Sequence, residues 1–412
     1  MDNHVIEYFI PKEAEGTYFT IPFPVPEGME QVTVSYEYEE GTVDLGLIDG
    51  GGQFIGWSGS DRKQVWVGPY TSTPGYRMVP LSPGMWQISV GAYKIPDSGL
   101  AVRYEIAYQA QKPRWFTGDL HIHSNASDGQ HDIPTLAKRA KKKGLDFIAV
   151  ANHNNYSENF CLPQVPGLTI IPAVEWTHYR GHMNFYGVVA PFDSFVANSE
   201  EEMLALVGQA KAKGALVSVC HPKDKNCGYT WGSMGCFDLV EVWNGPMRPT
   251  NTSALAWWHN LLLEGKKIPL IGGSDFHRDL HPAFMGHPVT RVFAKSPGVS
   301  DILEAVSLGH GYVTAKLGGV SLELRAGEAM MGDTINWHEG LELDVSAHGL
   351  GPGMVVKLVT NAGVTCLRKK KGRRLVAQVP VMPNWTFAYL VVVRRILGLE
   401  RIAAISNPVY IS

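Results

Sequence analysis

The stretch GDLHIHSNASDG, residues 118–129, decides how the chain is read. Successive side chains of a strand alternate faces, so Asp119, His121 and His123 share one face and Leu120 and Ile122 the other. Two imidazoles so placed can chelate one cation. Asp128 follows in a turn, before a helix that opens at Asp132. Beyond it, strand-like runs (LDFIAVAN, LTIIPAVE, MNFYGVV, ALVSVC, DLVEVW, IPLIGG, PVTRVF) alternate with helices expected over 133–143, 200–213, 252–264 and 300–308. Each helix is followed by a glycine (Gly144, Gly214, Gly265, Gly309) where a left-handed residue ends a helix, and Ser199 with Glu202 forms a capping box. This alternation predicts a parallel sheet or barrel over residues 113–317.

The flanks read differently. Residues 1–112 carry short period-two runs such as QVTVSYEY, WQISVGAY and AVRYEIAY between Gly/Pro/Asp/Ser clusters, the pattern of a β-sandwich domain. From 318 to 412 alternation returns in VSLELRAG, LELDVSA and WTFAYLVVVRR, predicting a C-terminal β subdomain. The basic run Arg368-Lys369-Lys370-Lys371-Gly372-Arg373-Arg374 reads as a solvated hairpin tip.

Composition narrows the function. The 412 residues suggest two or three domains at ~150 residues each. With 45% apolar and 18% charged residues the chain is globular. Lys plus Arg is 36 against 39 Asp plus Glu, a net charge of −3, which gives no electrostatic footprint for nucleic acid or an anionic membrane. The N-terminus lacks the basic and apolar regions of a signal peptide, and no uncharged apolar run reaches the ~18 residues of a membrane span. Five sparse cysteines without a CxxC pair fit a reducing compartment. The expectation is a cytoplasmic protein acting on a small molecule, with its oligomeric state left open.

Strand ends carry the chemistry. LDFIAVAN leads to His153, LTIIPAV to Glu175, ALVSVC to His221 and IPLIGG to Asp275 and His277, while His182 opens MNFYGVV. The carboxyl rim of the strands is where barrel and α/β folds build sites. The candidate metal ligands are therefore His121, His123, Asp128, His153, Glu175, His182, His221, Asp275 and His277. Imidazoles and carboxylates without a thiolate suit Zn, Mn or Fe rather than Ca or Mg. Nine ligands exceed one ion with an open position. Two to three divalent ions with a bridging carboxylate follow, an arrangement that clamps attacking and leaving oxygens and holds a bridging hydroxide. Arg180 and Arg278 could clamp an anionic ester, and Asn154 and Asn244 could contact substrate. His178, His281 and His287 read as supporting or surface groups, Trp257 and Trp258 as packing, and Cys220 as a buried small hydrophobe.

The motifs DLHIHSNASDG (119–129), ANHN (151–154), AVEWTHYRGH (173–182), CHP (220–222) and GGSDFH (272–277) resemble the PHP (polymerase and histidinol phosphatase) family in order and spacing. The resemblance implies a distorted (β/α)7 barrel with a di- or trinuclear site, in a family of mostly phosphoesterases. It places His121, His123, Glu175 and Asp275 on one ion. Glu175 bridges to a second ion held by His182 and His221, and Asp128, His153 and His277 hold a third. The chain departs from the family's Thr-Asp-His at Ala151-Asn152-His153, where Asn152 lacks the carboxylate. A β-sandwich ahead of such a domain looks like the CehA/McbA branch, some of whose members hydrolyse carbamate esters. The leading expectation is a phosphoesterase, with His277 and Asp128 as catalytic candidates. The alternative on the same site is a carbamate or carboxyl ester hydrolase. From another class comes a ligand-binding or sensor protein with a structural metal cluster.

Overall fold

In the computed structural model the described residues are 4–367, 372–396 and 399–412. Arg368–Lys371 of the basic run lie outside them. The chain divides into two compact units, one of Met1–Pro113 with Gln164–Thr169 and Lys295–Gly298, the other of Arg114–Pro163, Ile170–Ala294 and Val299–Ser412.

The first unit holds two four-stranded antiparallel sheets. One is ordered His4–Ile10, Leu100–Ala110, Met29–Glu37, Gln64–Val67, and the other Tyr18–Val25, Gly84–Lys94, Thr42–Ile48, Phe54–Gly59. Alternate residues of both, such as Val32, Val34 and Tyr104 from one and Phe23, Trp86 and Ile88 from the other, meet in one core. The period-two pattern in the sequence produces this: one face of each strand is apolar and must be covered.

The second unit is built on a 15-stranded mixed sheet. Arg114–Ile122 pairs in parallel with Phe147–Val150 on one side and antiparallel with Val289–Ala294 on the other. Thr169–His178 turns straight back into the antiparallel Gly181–Tyr186, which pairs with Leu216–Val219; parallel pairs then lead to Leu239–Asn244 and Leu270–Gly273. The chain after Leu270–Gly273 returns to the Arg114–Ile122 strand: Ile122 bridges Phe276, and the His123 N–H donates to the Phe276 carbonyl at 2.9 Å. Residues after 317 extend the same sheet, because Leu399–Ser406 pairs with Gly311–Thr314. A further four-stranded sheet around Ser321–Ala326 and Glu342–His348 shares their core.

The described residues contain four α-helices, Ile133–Lys143, Glu200–Ala212, Pro249–Leu263 and Val299–Leu308. Asp132 caps the first by accepting from the Thr135 N–H, and Gly144 ends it at φ 82°. None of the helices is long and apolar enough to cross a membrane. The fold is thus mixed sheets with few helices. The regular (β/α)7 alternation is not seen, since the Thr169–Tyr186 hairpin replaces a crossover helix and several connections are loops.

Gly118 lies in the sheet where a Cβ would stand 2.2 Å from the Phe147 ring. Close-packed interiors do not absorb such an overlap. Gly118→Ala should destabilise the second unit by roughly 1–3 kcal/mol, read as a lower midpoint in chemical denaturation.

Candidate metal centre

The Arg114–Ile122 strand delivers His121, and the residue after it is His123; both are fully buried, as is Glu175 from the Thr169–His178 strand. Glu175 is the hub. Its Oε2 lies 2.9 Å from His153 Nδ1, 3.3 Å from His121 Nε2 and 3.4 Å from His123 Nε2. Its Oε1 lies 2.9 Å from His182 Nδ1 and 3.1 Å from His221 Nε2. The two oxygens thus face two different sets of imidazoles.

Two more carboxylates complete the cluster. Asp275 Oδ1 is 3.1 Å from His123 Nε2 and 3.6 Å from His121 Nε2. Asp128 Oδ1 is 3.2 Å from His277 Nε2 and 3.6 Å from His153 Nε2. The structure therefore brings together all nine residues singled out in the sequence. Among the described residues five sets have the spacing to share an ion; three consist of the predicted ligands alone, His121, His123 and Asp275; His153, Glu175 and His182; and His123, Asp128, His153 and His277; a fourth joins Cys220 to His121 and Glu175.

The charges explain one another. Burial acts to raise the Glu175 pKa, but His121 together with hydrogen bonds from His153 and His182 holds it well below the usual carboxylate range. Burial likewise opposes ionisation of Asp275, and His121 and His123 outweigh it. At His121 burial disfavours the proton, yet Glu241, Glu175 and Asp275 carry its pKa well above the ordinary value. His123 goes the other way, to about 4, because burial outweighs Asp275 and Glu175. A neutral imidazole is the form that ligates a cation.

Among the described residues three non-glycines have left-handed backbone, Asn154 (φ 49°), His221 (φ 28°) and Asp275 (φ 50°), and all three lie at this centre. Such conformations are costly and cluster at functional sites.

Sequence reasoning missed the support around these candidate ligands. Glu241, buried in the Leu239–Asn244 strand, faces His121 Nδ1 at 2.9 Å and accepts from the His221 N–H at 3.0 Å and Asn244 Nδ2 at 3.1 Å. A lone carboxylate inside the apolar run LVEVW was the available signal. Asp119 accepts from the Ser274 N–H at 2.9 Å and the Gly286 N–H at 2.8 Å, while burial lifts its pKa to about 6. Cys227 Sγ sits 3.6 Å from His221 Nδ1 and forms a further candidate set with His182 and His221. Asn152 pins the 124–127 turn, accepting from the Ser124 N–H at 2.8 Å, while His153 Nδ1 meets Thr177 Oγ1 at 2.6 Å.

The residues named for substrate each have contacts within the protein. The Arg180 guanidinium lies 4.1 Å over the Trp231 ring and donates to the Thr230 carbonyl. Arg278 reaches the Asp128 carbonyl at 3.4 Å. Asn154 and Thr177 exchange hydrogen bonds, Asn154 Nδ2 to the Thr177 carbonyl at 3.0 Å and the Thr177 N–H to Asn154 Oδ1 at 2.8 Å.

The family model of the PHP domain matches residues 119–215. Among solved structures, the chain is similar to a two-domain protein from Bacteroides vulgatus said to contain a predicted PHP-like metal-dependent phosphoesterase (16% identity, 72% of this chain and 96% of that one, TM-score 0.43). It is also similar to a candidate metal-dependent phosphoesterase from Bifidobacterium adolescentis (16% identity, 45% and 94%, TM-score 0.30). A third likeness is to an amidohydrolase from Chromobacterium violaceum (16% identity, 40% and 93%, TM-score 0.27). No curated protein matched. The PHP match and the candidate metal sets support a metal-dependent hydrolase.

Groups behind metal ligands typically cost 10–100-fold in metal affinity when removed. Glu241→Gln keeps the shape but removes the charge facing His121. It should weaken metal binding by about 10–100-fold, measured by competition with a chelating dye, with the circular dichroism spectrum retained.

Proposed function

We propose, from the premise that residues 119–215 form a PHP domain, that this chain is a metal-dependent phosphoesterase acting on a small-molecule ester. One observation carries the reading. His121 Nε2 and His123 Nε2 are fully buried, make no hydrogen bond among the described residues, and face Glu175 Oε2 at 3.3 and 3.4 Å. A buried polar atom left unpaired costs about 1–3 kcal/mol. A cation between these nitrogens and the carboxylate would satisfy both.

The donor set fits Zn, Mn or Fe. His121, His123, Glu175 and Asp275 would hold one ion, with Glu175 bridging to a second held by His182 and His221, and Asp128, His153 and His277 would hold a third. When bound, such ions supply Lewis acidity and activate water. The chain's own groups fix the rest. Glu241 orients His121, and the Asp275 carbonyl, 2.8 Å from His277 Nδ1, fixes that ring. His277 Nε2, 3.2 Å from Asp128 Oδ1, would hand a proton to the leaving oxygen if two ions bind; with a third, both residues would be its ligands.

A second reading is hydrolysis of a carbamate or carboxyl ester at the same centre, as in the CehA/McbA branch. The stacking of Arg180 on Trp231 favours it, since that guanidinium is committed to an aromatic face rather than to an anion.

Metal-replete protein should carry two to three equivalents of Zn, Mn or Fe by elemental analysis, and chelation should abolish hydrolysis without unfolding. One equivalent or less would count against the cluster. His121→Ala and Asp275→Ala should each lower the rate by on the order of 10³-fold, since charge stabilisation is lost with either ligand. A substrate panel of phosphomonoesters, diesters, triesters and aryl carbamates separates the two readings.

A further inference from the structure

Beside the proposed ligand His182 opens a cavity of about 460 Å³. Its character differs from that of the cluster. Among the described residues its lining includes no lysine, arginine, aspartate or glutamate. Phe195, Val196 and Ala197 supply apolar surface, and Asn198 and Asn226 supply neutral amides. Phe195 and Val196 are 48% and 61% exposed, large apolar groups for which the fold provides no cover. A second cavity of about 320 Å³ shares Asn154 and Phe195 and adds Phe160, itself 69% exposed.

We infer that this cavity receives an uncharged, apolar substituent of the ester substrate, with Phe195 and Val196 determining its specificity. The inference rests on the hydrolase reading above. A volume of a few hundred Å³ lined by apolar and aromatic side chains with few polar groups is the usual form of a small-molecule subsite. A charged substituent would lose its water there and find no Lys, Arg, Asp or Glu side chain in the described lining to pair with. The apolar part of a ligand instead covers surface that is otherwise wet. Because His182 lies in the wall, a substituent seated here keeps the scissile bond beside the cluster. The amide of Asn154 is held by Thr177, which leaves Asn198 and Asn226 to meet a neutral polar link.

Neutral p-cresol and inorganic phosphate separate this subsite from the cluster. Each is titrated into the metal-replete full chain by ligand-observed NMR or calorimetry. p-Cresol should bind and stay bound in saturating phosphate. Phe195→Ala and Val196→Ser should each weaken p-cresol about 5–10-fold, the scale set by losing part of an apolar pocket, with phosphate affinity moving less than about 2-fold. Unchanged p-cresol affinity in both variants, or a parallel loss of phosphate affinity, would overturn the inference. The ester panel run alongside tells the two ideas apart. If no ester is hydrolysed and p-cresol still discriminates among the variants, the subsite stands and the hydrolase reading falls. If esters are hydrolysed and p-cresol does not discriminate, the subsite falls alone.

Discussion

A carboxylate with no exposed surface, Glu175, is the constraint on which the rest of the second unit depends. A buried charge is tolerated only when opposite charge or hydrogen bonds surround it closely. Here the partners come from far along the chain: His121 and His123 before it, His153 from the loop it bridges, His182 across a hairpin, and His221 after the next strand. Their reach is a few ångströms, so five strands must bring their ends close together. The sheet order that achieves this is in turn fixed by the backbone pairing of Ile122 with Phe276 and of His153 with Glu175.

The cluster also constrains what lies under it. A Cβ at Gly273 would stand 2.3 Å from His121 Cβ and 2.9 Å from Glu241 Oε1. The floor is therefore closed to even a methyl group. Asp119, on the same face of its strand as His121, is held by the Ser274 and Gly286 backbone and ties the incoming and outgoing strands together. Ligand, supporting carboxylate and glycine floor form one packed layer.

Much of this was legible in the sequence, for physical reasons. His121 and His123 declare themselves because strand periodicity puts i and i+2 on one face, and the helices because caps such as Asp132 and Gly144 are local. Glu241 was less legible, since its role appears only when a strand 120 residues from His121 folds beside it. The strand directions were less legible: the turn between His178 and Gly181 looks like any other turn until its strands are seen to pair antiparallel. The cavity was invisible because the irregular 190–198 loop that carries Phe195 and Val196 has no periodicity to read.

The left-handed backbone at Asn154, His221 and Asp275 has a consequence for how such a protein could change over generations. Glycine adopts that conformation without a steric penalty. Selection for heat resistance alone would thus find an easy gain at Asn154, whereas at His221 and Asp275 the relief of the backbone would be offset by stranding the buried charges that these side chains pair. A lineage that keeps this cluster must therefore look for most of its robustness elsewhere.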